Sequence, residues 1–216
     1  MRIMGAISTL AALLFGIQAQ AQTLTYSISP ETIKGYAKVS LNTTFQLNLE
    51  ENEGGMISTA EVDPGLGISA AAGLALLPEV DGELEISSYT GDVDYRSVAG
   101  VPVLSIPADE VQLLSVFANA YYKFRPATNA RFKLGGGLGY DQYTLKDSTG
   151  LKHRGSGIVY QVKGVGEYDF GSNITFLAEA GYIGTTDIDV DIIASNTVRD
   201  TALTGITFGL GAKVKF

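Results

Sequence analysis

The sequence predicts an all-β fold, an eight-stranded antiparallel transmembrane β-barrel with short periplasmic turns and long extracellular loops. Three observations carry this expectation. Apolar residues recur at every second position in segments of about ten residues, the length that spans a bilayer when a strand is tilted. The links between these segments alternate between short and long. The chain is also rich in glycine, 26 in 216 residues, and low in charge, 18% where soluble domains typically have about 25%.

The only long apolar run is N-terminal. Met1-Arg2 forms a positive start, Ile3 to Ile17 an apolar stretch too short to span a bilayer as a helix, and Ala19-Gln20-Ala21 a small-x-small cleavage site. Residues 1–21 therefore read as a signal peptide, cut after Ala21, and 22–216 as the exported barrel domain. Lys+Arg 15 against Asp+Glu 23, a net charge of −8, argues against a nucleic-acid partner. With no Cys and one His, thiolate zinc sites, disulfide frameworks and thiol nucleophiles are excluded, and no cofactor is expected.

Eight strands follow in order. The first, Ile33 to Phe45, sets Ala37, Val39 and Leu41 against Lys38, Ser40 and Asn42. The second, Leu66 to Leu76, alternates Leu66, Ile68, Ala70, Ala72 and Leu74 with Gly67, Ser69, Ala71 and Gly73. Glu83 to Tyr89 sets Leu84 and Ile86 against Glu83, Glu85 and Ser87, and Val111 to Phe124 sets Leu114, Val116, Ala118 and Ala120 against Ser115, Phe117, Asn119 and Tyr121. The fifth runs from Arg131 to Asp141 and the sixth from Ile158 to Asp169, where Val159 and Val165 blur the contrast. The seventh, Asn173 to Ile183, and the last, Gly205 to Phe216, alternate again. Pro78 to Gly82, Arg125 to Ala130 and Phe170 to Ser172 are short links. Gln46 to Pro64, Thr90 to Glu110, Lys146 to Gly155 and Gly184 to Ala202 are long, polar and read as loops. Strict alternation of short and long is the pattern of an outer-membrane barrel.

The apolar register faces lipid, with aromatic girdles at both interfaces. Tyr122, Phe124, Phe132, Tyr168 and Phe170 fall at the turn-side ends of their strands, and Tyr140, Tyr160 and Tyr182 towards the loop-side ends. The inward register carries Lys38, Lys133 and Lys163 with Glu85, Glu167 and Glu179, predicted to form ion pairs that close a lumen just wide enough for side chains. Lys163 and Glu179 are expected nearly opposite one another across a short turn.

The segments Leu114 to Phe124, Phe132 to Tyr140, Val159 to Phe170, Asn173 to Asp187 and Gly205 to Phe216 carry a resemblance. The chain resembles the outer-membrane β-barrel surface-antigen family, within the wider group of eight-stranded OmpA- and opacity-protein-like barrels. The resemblance implies a bacterial outer membrane location. It also implies that the alternating last strand, with Phe208, Val214 and the terminal Phe216, is the signal read by the barrel assembly machinery.

Function then moves to the loops. Glu50, Glu51, Glu53, Glu61 and Asp63 make the first acidic, Asp92, Asp94, Asp109 and Glu110 the second, and Asp187, Asp189, Asp191 and Asp200 the fourth. The third is basic, with Lys146, Lys152, His153 and Arg154. Expected partners are outer-membrane lipid and lipopolysaccharide, in part through bridging cations, and host or matrix surface molecules; otherwise the acids form a solvated, repulsive surface. The sequence thus reads as a non-enzymatic envelope structural protein or surface antigen. A narrow porin-like channel is the first alternative.

A lipid A-modifying enzyme is the second, using His153, Ser156 and Asp147. Their spacing does not match the His-x-Ser arrangement of the deacylases. Gly135 to Gly139 lies inside a strand pattern with no helix after it to hold a phosphate. Asp187 to Asp191 has alternate acids but Ile192 where a calcium loop requires Gly.

Overall fold

The structure, a computed structural model, describes residues 35–53, 56–98, 101–103, 109–124, 129–146, 152–171, 173–186, 188–192 and 197–216. Of these, the side chains of 46–61, 93–109, 145, 152–153 and 188–201 lie outside the description, as do residues 1–34 with the expected signal peptide and its Ala19–Ala21 site.

Every described element is a strand: β1 (Gly35–Glu53), β2 (Met56–Val62), β3 (Gly65–Leu77), β4 (Val80–Val98), β5 (Val101–Val103), β6 (Asp109–Phe124), β7 (Ala130–Lys146), β8 (Lys152–Asp169), β9 (Ile174–Thr185), β10 (Ile188–Ile192) and β11 (Thr197–Lys215). Eight of them close a ring by antiparallel pairing in the order β1, β3, β4, β6, β7, β8, β9, β11 and back to β1. Closure leaves no unpaired edge, which is what hydrocarbon demands of a sheet.

The three short strands sit at one rim. There β2 pairs with β1 and β4, continuing the line of β3 beyond Asp63-Pro64, where proline has no N–H to give to the ladder. In the same way β10 pairs with β8 and β11, continuing the line of β9. This corrects the sequence reading of that rim. Three of the four links expected as long loops, those between 46 and 64, 90 and 110, and 184 and 202, are largely strand, and β1 runs 19 residues, roughly 60 Å at about 3.3 Å per residue, well beyond what a bilayer requires. Above the membrane the outer face no longer meets lipid, so the sequence is not held to the apolar-polar alternation there. The backbone groups of each neighbouring strand still offer a ladder to continue.

Within the membrane the two registers separate cleanly. Val39, Leu41, Leu84, Leu114, Val116, Leu134, Leu138, Val162, Phe176 and Leu210 are exposed on the outside. An apolar surface of this extent belongs in lipid. Ala70 departs from its register's exposure: it is buried on the outer wall, between the larger Val39 and Ile86 that face it across β1 and β4. On the loop-side girdle the Tyr160 and Tyr182 rings lie 6.3 Å apart. At the turn-side girdle Tyr122, Phe124 and Phe132 form a contiguous row with centroids 4.9 and 5.9 Å apart, and Phe170 packs on Phe176. The β8–β9 turn is made at Gly171, with φ of 90°.

Inside, large side chains are matched with glycines directly across the ladder. On β6, Phe117, Asn119 and Tyr121 lie opposite Gly139, Gly137 and Gly135 of β7. Tyr36 of β1 lies opposite Gly73 of β3, and Ser40 and Asn42 opposite Gly211 and Gly209 of β11. A Cβ on Gly135 would stand 2.7 Å from the Tyr121 ring, and one on Gly139 2.8 Å from that of Phe117. The glycine excess is therefore the space into which the lumen's side chains fold.

Gly137→Val is expected to destabilise the barrel by about 1–3 kcal/mol through overpacking against Asn119 and the Ala118 carbonyl. The heat-modifiable, fast-migrating band on an unboiled gel should weaken relative to wild type. An undiminished band would show that the lumen has room to spare.

Candidate functional site: a lumen closed by charge

The inward register brings charged residues from distant parts of the chain onto one axis. Lys38, Lys133, Lys163, Glu85, Glu167 and Glu179 are all buried in the lumen. Two layers of ion pairs result.

In the middle layer, Lys38 Nζ lies 3.0 Å from Glu83, 2.9 Å from Glu179 and 3.9 Å from Glu85. Lys163 donates to both oxygens of Glu85 at 3.0 Å. Its separation from Glu179 is 4.0 Å, because the register places Lys163 opposite Gly181 and Glu179 opposite Val165. The expected direct Lys163–Glu179 opposition is thus corrected to a diagonal, and Glu85, from the far side of the lumen, is the principal partner. Neutral donors complete the layer. Asn119 donates to Glu85 at 2.9 Å, Gln161 to Asn119 at 2.8 Å, and the Tyr36 hydroxyl to Glu83 at 2.9 Å.

The turn-side layer is built around Asp81 and Glu167. Asp81 accepts from Lys123 at 2.7 Å and lies 2.7 Å from Lys133, which reaches on to Glu167 at 2.6 Å. Lys213 of β11 binds the same Glu167 oxygen. Arg131 spans Glu167 at 3.2 Å and Asp169 at 2.6 Å, and Lys215 also binds Asp169. The Tyr36 ring links the layers, with Lys133 and Lys213 Nζ 5.0 and 4.8 Å from its centroid. Among the described residues, seven cations face inward with seven carboxylates, the seventh being Asp141, which accepts the Ser115 hydroxyl. Above the middle layer a cavity of about 60 Å³ remains, bounded by Ser87, Tyr89, Leu113, Phe117, Lys163 and Glu179. Its volume suits a few waters and falls far short of a wide pore.

Asp81, Glu83 and Lys213 were not singled out from the sequence. Glu83 and Lys213 share the inward register of the named residues and could have been read from it. Asp81 fell in a segment read as a turn. Of the enzymatic grouping, Ser156 alone has a described side chain. Ser156 accepts the Tyr140 hydroxyl at 2.6 Å on the outer face. Asp147 and the His153 side chain lie outside the described residues, as do those of Glu50, Glu51, Glu53, Glu61, Asp94, Asp109 and the acids between 187 and 200.

A closed antiparallel ring with an apolar outer wall and a charged, filled interior defines a transmembrane β-barrel protein. The family described as "Outer membrane protein beta-barrel domain" matches residues 7–216, and the chain belongs to it. It is thus a protein of the Gram-negative outer membrane. Among solved structures it is similar to neisserial surface protein A (16% identity, 84% of this chain and 97% of that one, TM-score 0.55). It is also similar to OprG of Pseudomonas aeruginosa (13%, 86% and 96%, TM-score 0.60) and to a major outer membrane protein of Thermus thermophilus (10%, 84% and 99%, TM-score 0.50). At these identities the likeness is one of fold. No curated protein matches it by sequence.

Glu167→Gln is expected to cost about 3–5 kcal/mol, since Lys213 and Lys133 then stand buried around a neutral amide. Denaturant unfolding in lipid bilayers would read this as a lower midpoint. The paired Glu167→Gln/Lys213→Met variant should recover part of the loss, because it removes one of the stranded charges.

Proposed function

We propose that the protein is a non-enzymatic envelope barrel and surface antigen whose lumen is closed and whose outer rim makes its specific contacts, including adhesion to host or matrix molecules. The observation that carries this reading is the ion-paired interior. Two layers of ion-paired and aromatic side chains occupy the axis, and the cavity above them among the described residues measures about 60 Å³. A barrel so filled has its lipid face and its rim left for binding. The rim is built for display, because the strands extend well past the girdle before they turn.

Neisserial surface protein A, a surface protein by name and similar in fold, supports the reading by analogy.

Planar-bilayer recording on the full chain should give no stable nanosiemens conductance; such a conductance would make the narrow channel the better reading. An epitope inserted between Gly54 and Gly55, in the β1–β2 link, should be stained by antibody on intact cells, whereas one between Pro78 and Glu79, in the β3–β4 turn, should require permeabilisation. Cells expressing the protein should adhere to matrix-coated wells above cells carrying an empty vector, and loss of the rim strands β2 and β5 should abolish the difference.

A further inference from the structure

The inward charges match in number but not in place. Five of the seven described cations stand in the turn-side layer, where Lys123, Arg131, Lys133, Lys213 and Lys215 share Asp81, Glu167 and Asp169. The middle layer has the reverse imbalance, with Lys38 and Lys163 serving Glu83, Glu85 and Glu179. Higher in the lumen, Asp141 is fully buried and pairs with no cation among the described residues.

In the middle layer the imbalance converges on one atom. Glu179 is only 6% exposed; one of its oxygens accepts from Lys38 at 2.9 Å, and the other, Oε2, has no hydrogen-bond partner. Lys163 Nζ stands 4.0 Å from Oε2 and is engaged by both oxygens of Glu85 at 3.0 Å. Glu179 lines the cavity of about 60 Å³, so the unmatched charge and the unpartnered oxygen coincide at its wall.

The rest of that wall offers oxygen. Asn42, Thr44, Ser87, Ser115, Gln161 and Thr207 line the cavity, and three of them commit donors to protein partners. Asn42 Nδ2 donates to Ser69 at 3.0 Å, Gln161 Nε2 to Asn119 at 2.8 Å and the Ser115 hydroxyl to Asp141 at 3.1 Å. Groups engaged in this way keep their lone pairs to offer. Neutral oxygens beside one carboxylate oxygen are the ligand chemistry of a hard cation, with waters filling the remaining coordination positions. Charge selects within that class. A single unmatched carboxylate balances a single positive charge, and the described residues contain no group of three or more acids or histidines placed to hold a metal ion.

We infer that this cavity binds a small monovalent cation, of the size and hardness of sodium, with Glu179 Oε2 as its anionic ligand. A buried carboxylate without its counter-charge is costly, and an alkali ion seated there supplies the charge from the medium. The inference goes beyond the surface-antigen reading and holds whether or not the rim adheres to other molecules.

The test follows urea unfolding of the full chain in phosphatidylcholine bilayers while sodium replaces N-methylglucammonium at constant ionic strength. Wild type should gain stability, its folding equilibrium constant rising up to about tenfold for each tenfold rise in sodium above the dissociation constant. Glu179→Gln keeps the shape of the side chain and an oxygen for Lys38, and it balances the layer at two charges against two; it should lose the sodium dependence. Ser87→Ala removes one lining oxygen without touching the ion pairs, and should raise the half-saturating sodium concentration. It gives an independent reading if Glu179→Gln fails to fold, which heat-modifiable mobility reports. Crystals of the full chain soaked in thallium(I) should show one anomalous peak beside Glu179 Oε2.

An equal sodium response in wild type and a folded Glu179→Gln would overturn the proposal in favour of general salt screening. A wild-type response to pH with none to sodium would overturn it in favour of a shared proton. Saturation by micromolar calcium would do so in favour of a divalent site.

Discussion

Every N–H and C=O in the hydrocarbon layer has to find a partner within the protein, and the pairing of β11 with β1 is where this chain meets that demand. Without it two strands would present bare edges to lipid. With it the number of strands is fixed at eight, and so is the circumference. The apolar outer register, the aromatic girdles and the narrowness of the interior all follow from that one closure.

Narrowness sets the terms inside. A ring of eight strands has room for side chains only if bulky ones face small ones, which the direct opposition of Phe117, Asn119 and Tyr121 to three glycines provides. Charges in so confined a space are tolerated when they are neutralised at hydrogen-bond distance. The interior achieves this with branched networks in place of isolated pairs: Lys38 touches three carboxylates and Glu167 meets three cations. The same arrangement that lets the barrel close also denies it a wide channel.

The membrane-embedded half of the fold was legible because lipid and lumen impose opposite chemistries on alternate residues, and the sequence from Leu114 to Phe124 records that alternation directly. The rim was not legible in the same way. Beyond the lipid layer a strand such as Thr197 to Leu203 carries no periodic apolar signal in its sequence, and its polar composition resembles a loop. Which face the charges occupy could be read from parity, as for Lys133 and Glu167. Which charge meets which could not, because pairs such as Lys163 with Glu85 join strands that are 78 residues apart in sequence and lie across the lumen. Register supplies neighbours on the wall, and cross-lumen partners depend on side-chain reach.

The last strand has a second part to play beyond completing the hydrogen-bond ladder. Lys213 and Lys215 bring from β11 the cations that Glu167 and Asp169 of β8 receive, and Phe216 exchanges backbone hydrogen bonds with Gly35 at the seam. Without β11, Asp81, Glu167 and Asp169 already face Lys123, Arg131 and Lys133; β11 adds the third cation around Glu167 and the second beside Asp169. Docking therefore completes the Glu167 and Asp169 networks and the backbone ladder in one event. A seam of this kind acts as a latch: half-shut forms gain little from either contribution, so the barrel passes between open and shut with few states between, and the order in which the chain is made becomes the order in which it locks.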